Sequence, residues 1–138
     1  MREIKFRIYD NITPTPRMIY KNDLFSMTLD GKLSYGNADF TKEYKIMQYI
    51  GLKDKNGVEV YEGDIVKFGE RSSYYDSLDV ANVHKVIFYK GSFVFDPIVG
   101  SIKKSMMHNI DFEVIGNIYE NGELLKWKKL LKKLEIIY

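Results

Sequence analysis

The chain has 138 residues, the length of one domain, and can bury a core without a metal ion or a disulfide. It contains no Cys, so disulfides, thiolate nucleophiles and Cys-based metal sites are excluded. The net charge of +2 is uneven: residues 121–138 hold five Lys and two Glu, or +3, which leaves −1 for residues 1–120. The body therefore has neither the basic excess of a typical nucleic-acid-binding module nor the acidic excess of a DNA mimic.

The first third of the chain predicts two β-hairpins. Ile4–Tyr9 alternates apolar and charged residues, and Arg17–Tyr20 follows a Pro-rich breaker, so these segments are expected to pair. Met27–Leu29 and Lys32–Tyr35 flank Asp30-Gly31, a dipeptide favoured where both turn residues have positive φ. We therefore predict a second hairpin with its turn at Asp30-Gly31.

The stretch KDKNGVEVYEGDIVKF, residues 53–68, contains two glycines that could belong to a ligand loop or to turns. A phosphate-binding loop requires Lys and then Ser or Thr directly after its second glycine, whereas Gly57 is followed by Val58. A calcium loop beginning at Asp54 requires glycine at its sixth position, where Glu59 stands. We interpret Gly57 and Gly63 as turn residues.

The next segments also have the character of strands. Lys85–Tyr89 and Ser92–Phe95 flank Lys90-Gly91, and Phe112–Tyr119 is rich in β-branched and aromatic residues. Strands of this length at this spacing indicate a β-rich sheet or a small barrel.

Four segments carry a family resemblance: MREIKFRIYD, PRMIY, MQYIGLKDKNGVEVYEGDIVKF and FEVIGNIYENGELL. In this order they resemble the blocks of the YopX-like family, small proteins of phages and prophages with no established biochemical activity. The resemblance implies a mainly β protein with a small, partly open, SH3-like barrel, and it supplies no catalytic residues. The chain departs from the family pattern at Asn121-Gly122-Glu123, which stands in place of Asn-Pro-Glu, and in its Lys-rich tail.

We expect the chain to contain an N-terminal β-hairpin region at 1–48, a β-barrel region at 49–120 and a basic helical tail at 121–138, together forming one compact domain. The tail is predicted to be an amphipathic helix capped by Asn121, with its Lys residues outside the apolar stripe. The stripe includes Leu124, Trp127, Leu131, Leu134 and Tyr138. It is expected to pack partly on the barrel and partly in a self-association contact, with binding to an anionic membrane surface as the alternative.

The loop after residue 69 is the predicted partner contact. Arg71, Tyr74 and Tyr75 combine forked hydrogen bonding with rigid contact area, a composition that carries binding energy at interfaces. The alternative is that both tyrosines lie against the body. With single-stranded nucleic acid as the partner, the tyrosines would stack on bases while Arg71, Lys53 and Lys55 contact phosphates.

The sequence offers little for catalysis. His84 and His108 are the only histidines, neither has a second histidine at i+3 or i+4, and no Gly-x-Ser-x-Gly elbow occurs. We therefore expect no catalytic residues, no metal, no cofactor and no enzymatic activity.

These expectations combine into two hypotheses on function. The first is a non-enzymatic, self-associating or protein-binding accessory protein that contacts an unknown host or phage protein. The second is a nucleic-acid-binding β-barrel, which the charge distribution does not favour. Because no apolar run is long enough to span a membrane and the first residues are charged, we expect no membrane span and a location in the cytoplasm of a bacterial host cell.

Overall fold

Antiparallel β-strands form most of the regular structure in the computed structural model, which describes residues 2–21, 24–69, 83–98, 104–105 and 111–126. The chain divides into two compact units, residues 1–49 and 50–138. The strands of the described residues are β1 Phe6–Asp10, β2 Arg17–Ile19, β3 Phe25–Met27, β4 Leu33–Tyr35, β5 Ala38–Asp39, β6 Lys45–Lys53, β7 Glu59–Tyr61, β8 Asp64–Phe68, β9 Val83–Tyr89, β10 Ser92–Pro97, β11 Lys104–Ser105 and β12 Phe112–Asn117. The expectation of a mainly β protein is confirmed.

The first unit confirms the predicted N-terminal hairpin. Strand β1 pairs antiparallel with β2, with Ile8 opposite Ile19, and on its other side with β6, where Ile8 lies opposite Ile46. The buried carboxylate of Asp10 closes the connection because its Oδ1 accepts the N–H of Ile12 at 3.0 Å and that of Thr13 at 3.3 Å. An aspartate that binds the backbone two and three residues on is a common turn device.

The second hairpin is also confirmed, but its predicted turn is wrong. Strands β3 and β4 pair with Met27 opposite Leu33, so the connection spans residues 28–32 rather than two residues. Gly31 has φ +87°, whereas Asp30 has no positive φ. The hydroxyl of Thr28 accepts the Lys32 N–H at 3.1 Å. This side-chain hydrogen bond closes the longer loop, so the two strands are joined without a two-residue turn.

A two-residue turn occurs instead at Lys90-Gly91, between β9 and β10. Tyr89 pairs with Ser92, and Lys90 and Gly91 have φ values of +48° and +87°. Positive φ at both central residues defines the type I′ turn, whose twist matches that of the flanking strands. The strand assignments for Lys85–Tyr89 and Ser92–Phe95 are therefore correct.

The second unit contains a sheet of order β11-β10-β9-β8-β12 among its described strands, and two buried apolar clusters include residues of that sheet. The first cluster contains Val60, Val66, Phe68, Val86, Phe95 and Phe112. Phe95 packs edge-on against Phe68 and Phe112, at centroid distances of 5.1 and 5.2 Å. The second cluster contains Ile65, Val83 and Ile98, with Ile118, Leu124 and Leu125 packed against it.

The segment after β12 differs from the predicted α-helical tail. Residues Gly122–Lys126 form a 3₁₀ helix, in which the Leu124 N–H binds the Asn121 carbonyl at 3.0 Å. The side-chain oxygen of Asn121 accepts the N–H of Asn117 at 3.1 Å, so it is not available as an N-cap. The prediction of an α-helix beginning at Asn121 is therefore wrong for this turn, and residues 127–138 lie outside the described part of the chain. No helix in the described part is long and apolar enough to cross a membrane.

The turns of the 53–68 stretch confirm the geometric interpretation of its glycines. Gly57 and Gly63 have φ values of +81° and +89°, in the left-handed region that favours glycine. No atom lies within 4 Å of a Cβ built on Gly57, so the backbone conformation alone explains the glycine there.

The carboxylate of Asp54 joins this turn to β12. Its Oδ1 accepts the N–H groups of Asn56 and Val58, at 2.8 and 2.9 Å, and its Oδ2 accepts the Val114 N–H at 2.9 Å. Burial of the carboxyl raises its pKa. The three N–H donors and the nearby Lys55 together lower the pKa by more than burial raises it, so it lies below the usual 3.8. A side chain sixty positions away in sequence thereby fixes the end of the sheet.

We predict that Gly57→Val lowers the free energy of unfolding by about 1 kcal/mol or more, because a β-branched residue tolerates positive φ poorly. The control is Gly122→Ala, since Gly122 lies outside the left-handed region and a Cβ there meets nothing within 4 Å. Urea unfolding measures the free energy of unfolding of both variants. Equal stability of the two variants would contradict the turn assignment.

We predict that Asp54→Ala lowers the free energy of unfolding by about 2 kcal/mol or more, because it removes the acceptor of three backbone donors. Because the folded pKa is depressed, the ionised carboxylate stabilises the fold above pH 3.8, and this contribution is lost as pH falls through the folded pKa. Asp54→Asn removes the charge and replaces one of the two acceptor oxygens with an NH₂ donor, so the part of its stability deficit that comes from the charge should shrink on acidification. Asp111→Asn, at an exposed position directly before β12, is the control. A deficit of Asp54→Asn that stays constant down to acid unfolding, or that equals the deficit of Asp111→Asn, would contradict this account.

Candidate partner-binding groove

The predicted site residues fall in two groups. Arg71, Tyr74 and Tyr75 lie outside the described residues, as do Trp127, Leu131, Leu134 and Tyr138. Leu124 is described and packs against the second apolar cluster of the second unit. Lys53 and Lys55, the predicted phosphate contacts, are exposed at the end of β6 and in the following turn. The predicted partner surface, formed by Arg71, Tyr74 and Tyr75, therefore lies outside the part of the chain that the structure describes.

The described residues instead form a groove in the first unit, which we call the N-terminal groove. It has a volume of about 270 Å³ and is lined by residues 4–8, which lead into and begin β1, by residues 19–21, by β3 and by Leu33 of β4. Its floor is apolar, since Ile8 and Leu33 are buried and Phe6 is half-buried. The alternation of the strand places Phe6 and Ile8 on one face and Lys5 and Arg7 on the other, and residues of both faces line the groove.

The rim of the groove combines exposed apolar surface with positive charge. The side chains of Ile4 and Tyr20 are 59% and 58% exposed, although both are large and apolar. Lys5, Arg7 and Lys21 belong to the lining, which contains no carboxylate among the described residues. Glu3, next to the lining, forms an ion pair with Lys5 at 2.5 Å between Nζ and Oε1. Exposed pairs of this kind contribute roughly 0.2–1 kcal/mol, so Lys5 can exchange Glu3 for another anion at little cost.

Arg7 and Tyr20 link the two strands on the wall of the groove. Arg7 is only 3% exposed, its Nη1 donates to the Tyr20 hydroxyl at 3.4 Å, and its guanidinium lies 5.8 Å from the centre of the Tyr20 ring. A guanidinium over an aromatic face is attracted by the ring quadrupole. The contact holds the exposed Tyr20 ring in a defined position, which lowers the entropy lost when a partner packs on it.

The opposite wall is made rigid by an aromatic group. Phe25 lines the groove and makes edge-on contacts with Tyr35 and Tyr44, at centroid distances of 5.1 and 5.4 Å. Phe40 packs against Tyr44 at 5.4 Å. Burial, and then the charge of Asp10, raise the pKa of the Tyr44 phenol above its usual range, so the ring is neutral at physiological pH.

A second concave region of the first unit has a different character. It has a volume of about 350 Å³ and is lined by Lys32, Asp39, Thr41, Lys42 and Glu43, which mix both signs of charge. The Thr41 hydroxyl donates to Asp39 at 2.6 Å, and this bond, the Thr41 N–H and the nearby lysines lower the pKa of Asp39. Asp39 and Thr41 hydrogen-bond each other and close the connection after β5, so we assign the region a structural role.

Metal chemistry has no support in the described part of the chain, where no three His, Asp or Glu side chains lie close enough together to hold an ion. His84 is 2% exposed and its ring lies edge-on to Phe68 at 4.8 Å. The structure thus places His84 in the core.

The groove was missed by sequence reasoning because its parts are far apart along the chain. Lys5 and Arg7 were identified only as the charged half of an alternating strand. Two features of the sequence could have indicated the groove: both charged residues within Ile4–Tyr9 are basic, and an aromatic residue and a lysine stand together at Tyr20-Lys21. These residues come together because β1 pairs with β2 and because β3 lies beside them. The sequence predicts the pairing of β1 with β2 but not the position of β3.

Comparisons with known proteins agree with the fold. No curated protein matches the chain. The crystal structure of protein EF1440 from Enterococcus faecalis is similar to it, with a TM-score of 0.53 and 28% sequence identity over 91% of this chain and 99% of that chain. The family model described as YopX protein matches residues 5–126. The blocks of sequence, the antiparallel fold and this match agree, and the chain belongs to the YopX family.

Proposed function

We propose that this YopX-family protein is a non-enzymatic interaction module, encoded by a phage or prophage, that binds a partner protein in the cytoplasm of the bacterial host. The partner is a host or phage protein, and the N-terminal groove is its binding surface. The observation that carries the proposal is the groove itself, in which an apolar floor is surrounded by exposed Tyr20 and Ile4 and by three cationic side chains.

The composition of this surface supports a protein partner. Tyr and Arg are enriched among residues that dominate interface energetics, and Tyr20 and Arg7 are in contact with each other here. Each large apolar side chain left in water forgoes roughly 1.5–3 kcal/mol of burial free energy, so Ile4 and Tyr20 give a partner a direct gain. The Ser26 hydroxyl in the lining hydrogen-bonds the Ser34 hydroxyl at 2.9 Å rather than a general base, and the proposal assigns it no catalytic role.

Two further features belong to this proposal. We propose that the second unit is a partly open, SH3-like barrel, which its antiparallel sheet and the bulge in β12 between Val114 and Gly116 support. We also propose that the protein self-associates. The exposed Phe88, whose ring packs edge-on against Phe93 at 5.2 Å, supports this because it extends the apolar face of the β9–β10 hairpin beyond the core.

One observation favours a nucleic-acid partner as the second candidate. At the tip of the β9–β10 hairpin Tyr89 is 40% exposed, and the Nζ of Lys90 lies 5.3 Å from the centre of its ring. An exposed aromatic ring beside a cation can stack on a base and contact a phosphate. Binding of that kind weakens steeply with salt, whereas a protein contact with an apolar centre responds less.

The test is capture of partners from a bacterial lysate by the tagged full-length protein, with and without nuclease, at low and moderate salt. We expect discrete protein partners that resist nuclease and are lost with the double variant Tyr20→Ala, Lys21→Asn. The matched control is Tyr89→Ala, Lys90→Asn, in which Asn tolerates the positive φ of residue 90. Melting temperatures of both variants must match that of the parent protein. Capture abolished by nuclease, or lost with the hairpin variant alone, would overturn the proposal in favour of nucleic acid.

A further inference from the structure

The N-terminal groove also indicates what kind of segment it binds. We infer that it takes an extended, acidic segment of a partner protein, which places an apolar side chain on the floor and carboxylates beside Lys5 and Lys21. This inference rests on the proposed function and adds the chemical class of the ligand.

The charge of the lining favours an anionic occupant. Lys5, Arg7 and Lys21 carry positive charge, and Glu3 forms an ion pair with Lys5. Lys21 is exposed and lies at the rim, where its flexible side chain can reach a carboxylate of the partner. Arg7 is almost fully buried, so its positive charge is less screened by water than that of a surface residue. A basic segment would meet repulsion from the exposed Lys21, which provides specificity against it.

The size of the groove suits a side chain of a partner segment. Its volume of about 270 Å³ is below the roughly 300–1,000 Å³ typical of small-molecule pockets. The floor residues Ile8, Leu33 and Met27 match an aliphatic or aromatic side chain of the partner. The occupant therefore combines an apolar anchor with flanking carboxylates.

The backbone along the groove favours an extended conformation of the ligand. Strands β2 and β3 are the end strands of their sheets in the described part of the chain, and Ile19 and Phe25–Met27 on or beside them line the groove. An end strand has backbone N–H and C=O groups on its outer side, and an added strand can pair with these groups. Main-chain pairing then sets the register, so that alternate side chains of the peptide point to the floor.

The experiment is selection from a display library of random peptides against the immobilised full-length protein at low salt. We expect the selected peptides to be enriched in Asp and Glu around one apolar or aromatic residue. The dissociation constant of the most enriched peptide, labelled with a fluorophore, is then measured by fluorescence anisotropy. Lys21→Glu should weaken it by about tenfold or more, through the loss of one attraction and the gain of one repulsion.

The matched control is Lys126→Glu, which makes the same charge change at an exposed position of the second unit and should leave the dissociation constant unchanged. Thermal melting verifies that both variants fold. Selected peptides that are neutral or basic, yet lose binding with Tyr20→Ala, would overturn the acidic class and leave the proposed function standing. Peptides insensitive to both Tyr20→Ala and Lys21→Glu would overturn both. Displacement of the peptide by a single-stranded oligonucleotide at equal concentration would assign the groove to nucleic acid instead.

Discussion

The fold of the second unit depends on one buried carboxylate. Asp54 is 6% exposed, and it accepts hydrogen bonds from its own turn and from Val114 in β12. The N–H of Lys55 binds the Phe112 carbonyl at 3.0 Å, so two successive residues of the turn are attached to the same strand. A buried charge is tolerated where hydrogen bonds replace its hydration, and these donors are fixed in place by the backbone. The turn thereby holds β12 at Phe112 and Val114, directly before the bulge.

The bulge in β12 lies directly before the turn that ends this strand. A Cβ at Gly116 would collide with the side chain of Asn121, so the glycine allows Asn121 to approach and to accept the Asn117 N–H. Asn117 is itself buried and caps the following turn through the N–H groups of Tyr119 and Glu120. This arrangement directs Leu124 and Leu125 onto the second apolar cluster. A chain shortened to Gly122 would consequently lose core contacts as well as its tail.

The sequence predicts those parts of the fold that depend on local patterning. Alternation in Ile4–Tyr9 and the positive-φ requirement at Gly57 and Gly63 are local properties, and the structure confirms the strand and both turns. The turn at Asp30-Gly31 was predicted wrongly because the Thr28 side chain competes for the same backbone groups. The N-terminal groove was not predicted because it depends on where β3 lies in the tertiary structure. The pattern of apolar and polar residues along the chain does not specify that position.

The central claim is that the protein acts by binding another protein in the N-terminal groove. The most direct measurement is photo-crosslinking in bacterial cells that express the protein with a photoreactive amino acid at Ser26, an exposed residue of the groove lining. The same amino acid at Asn37, which is exposed but does not line the groove, is the control. The account predicts discrete protein adducts from position 26 that are absent from position 37. Identical adducts from both positions, adducts to nucleic acid, or none at position 26 would contradict it.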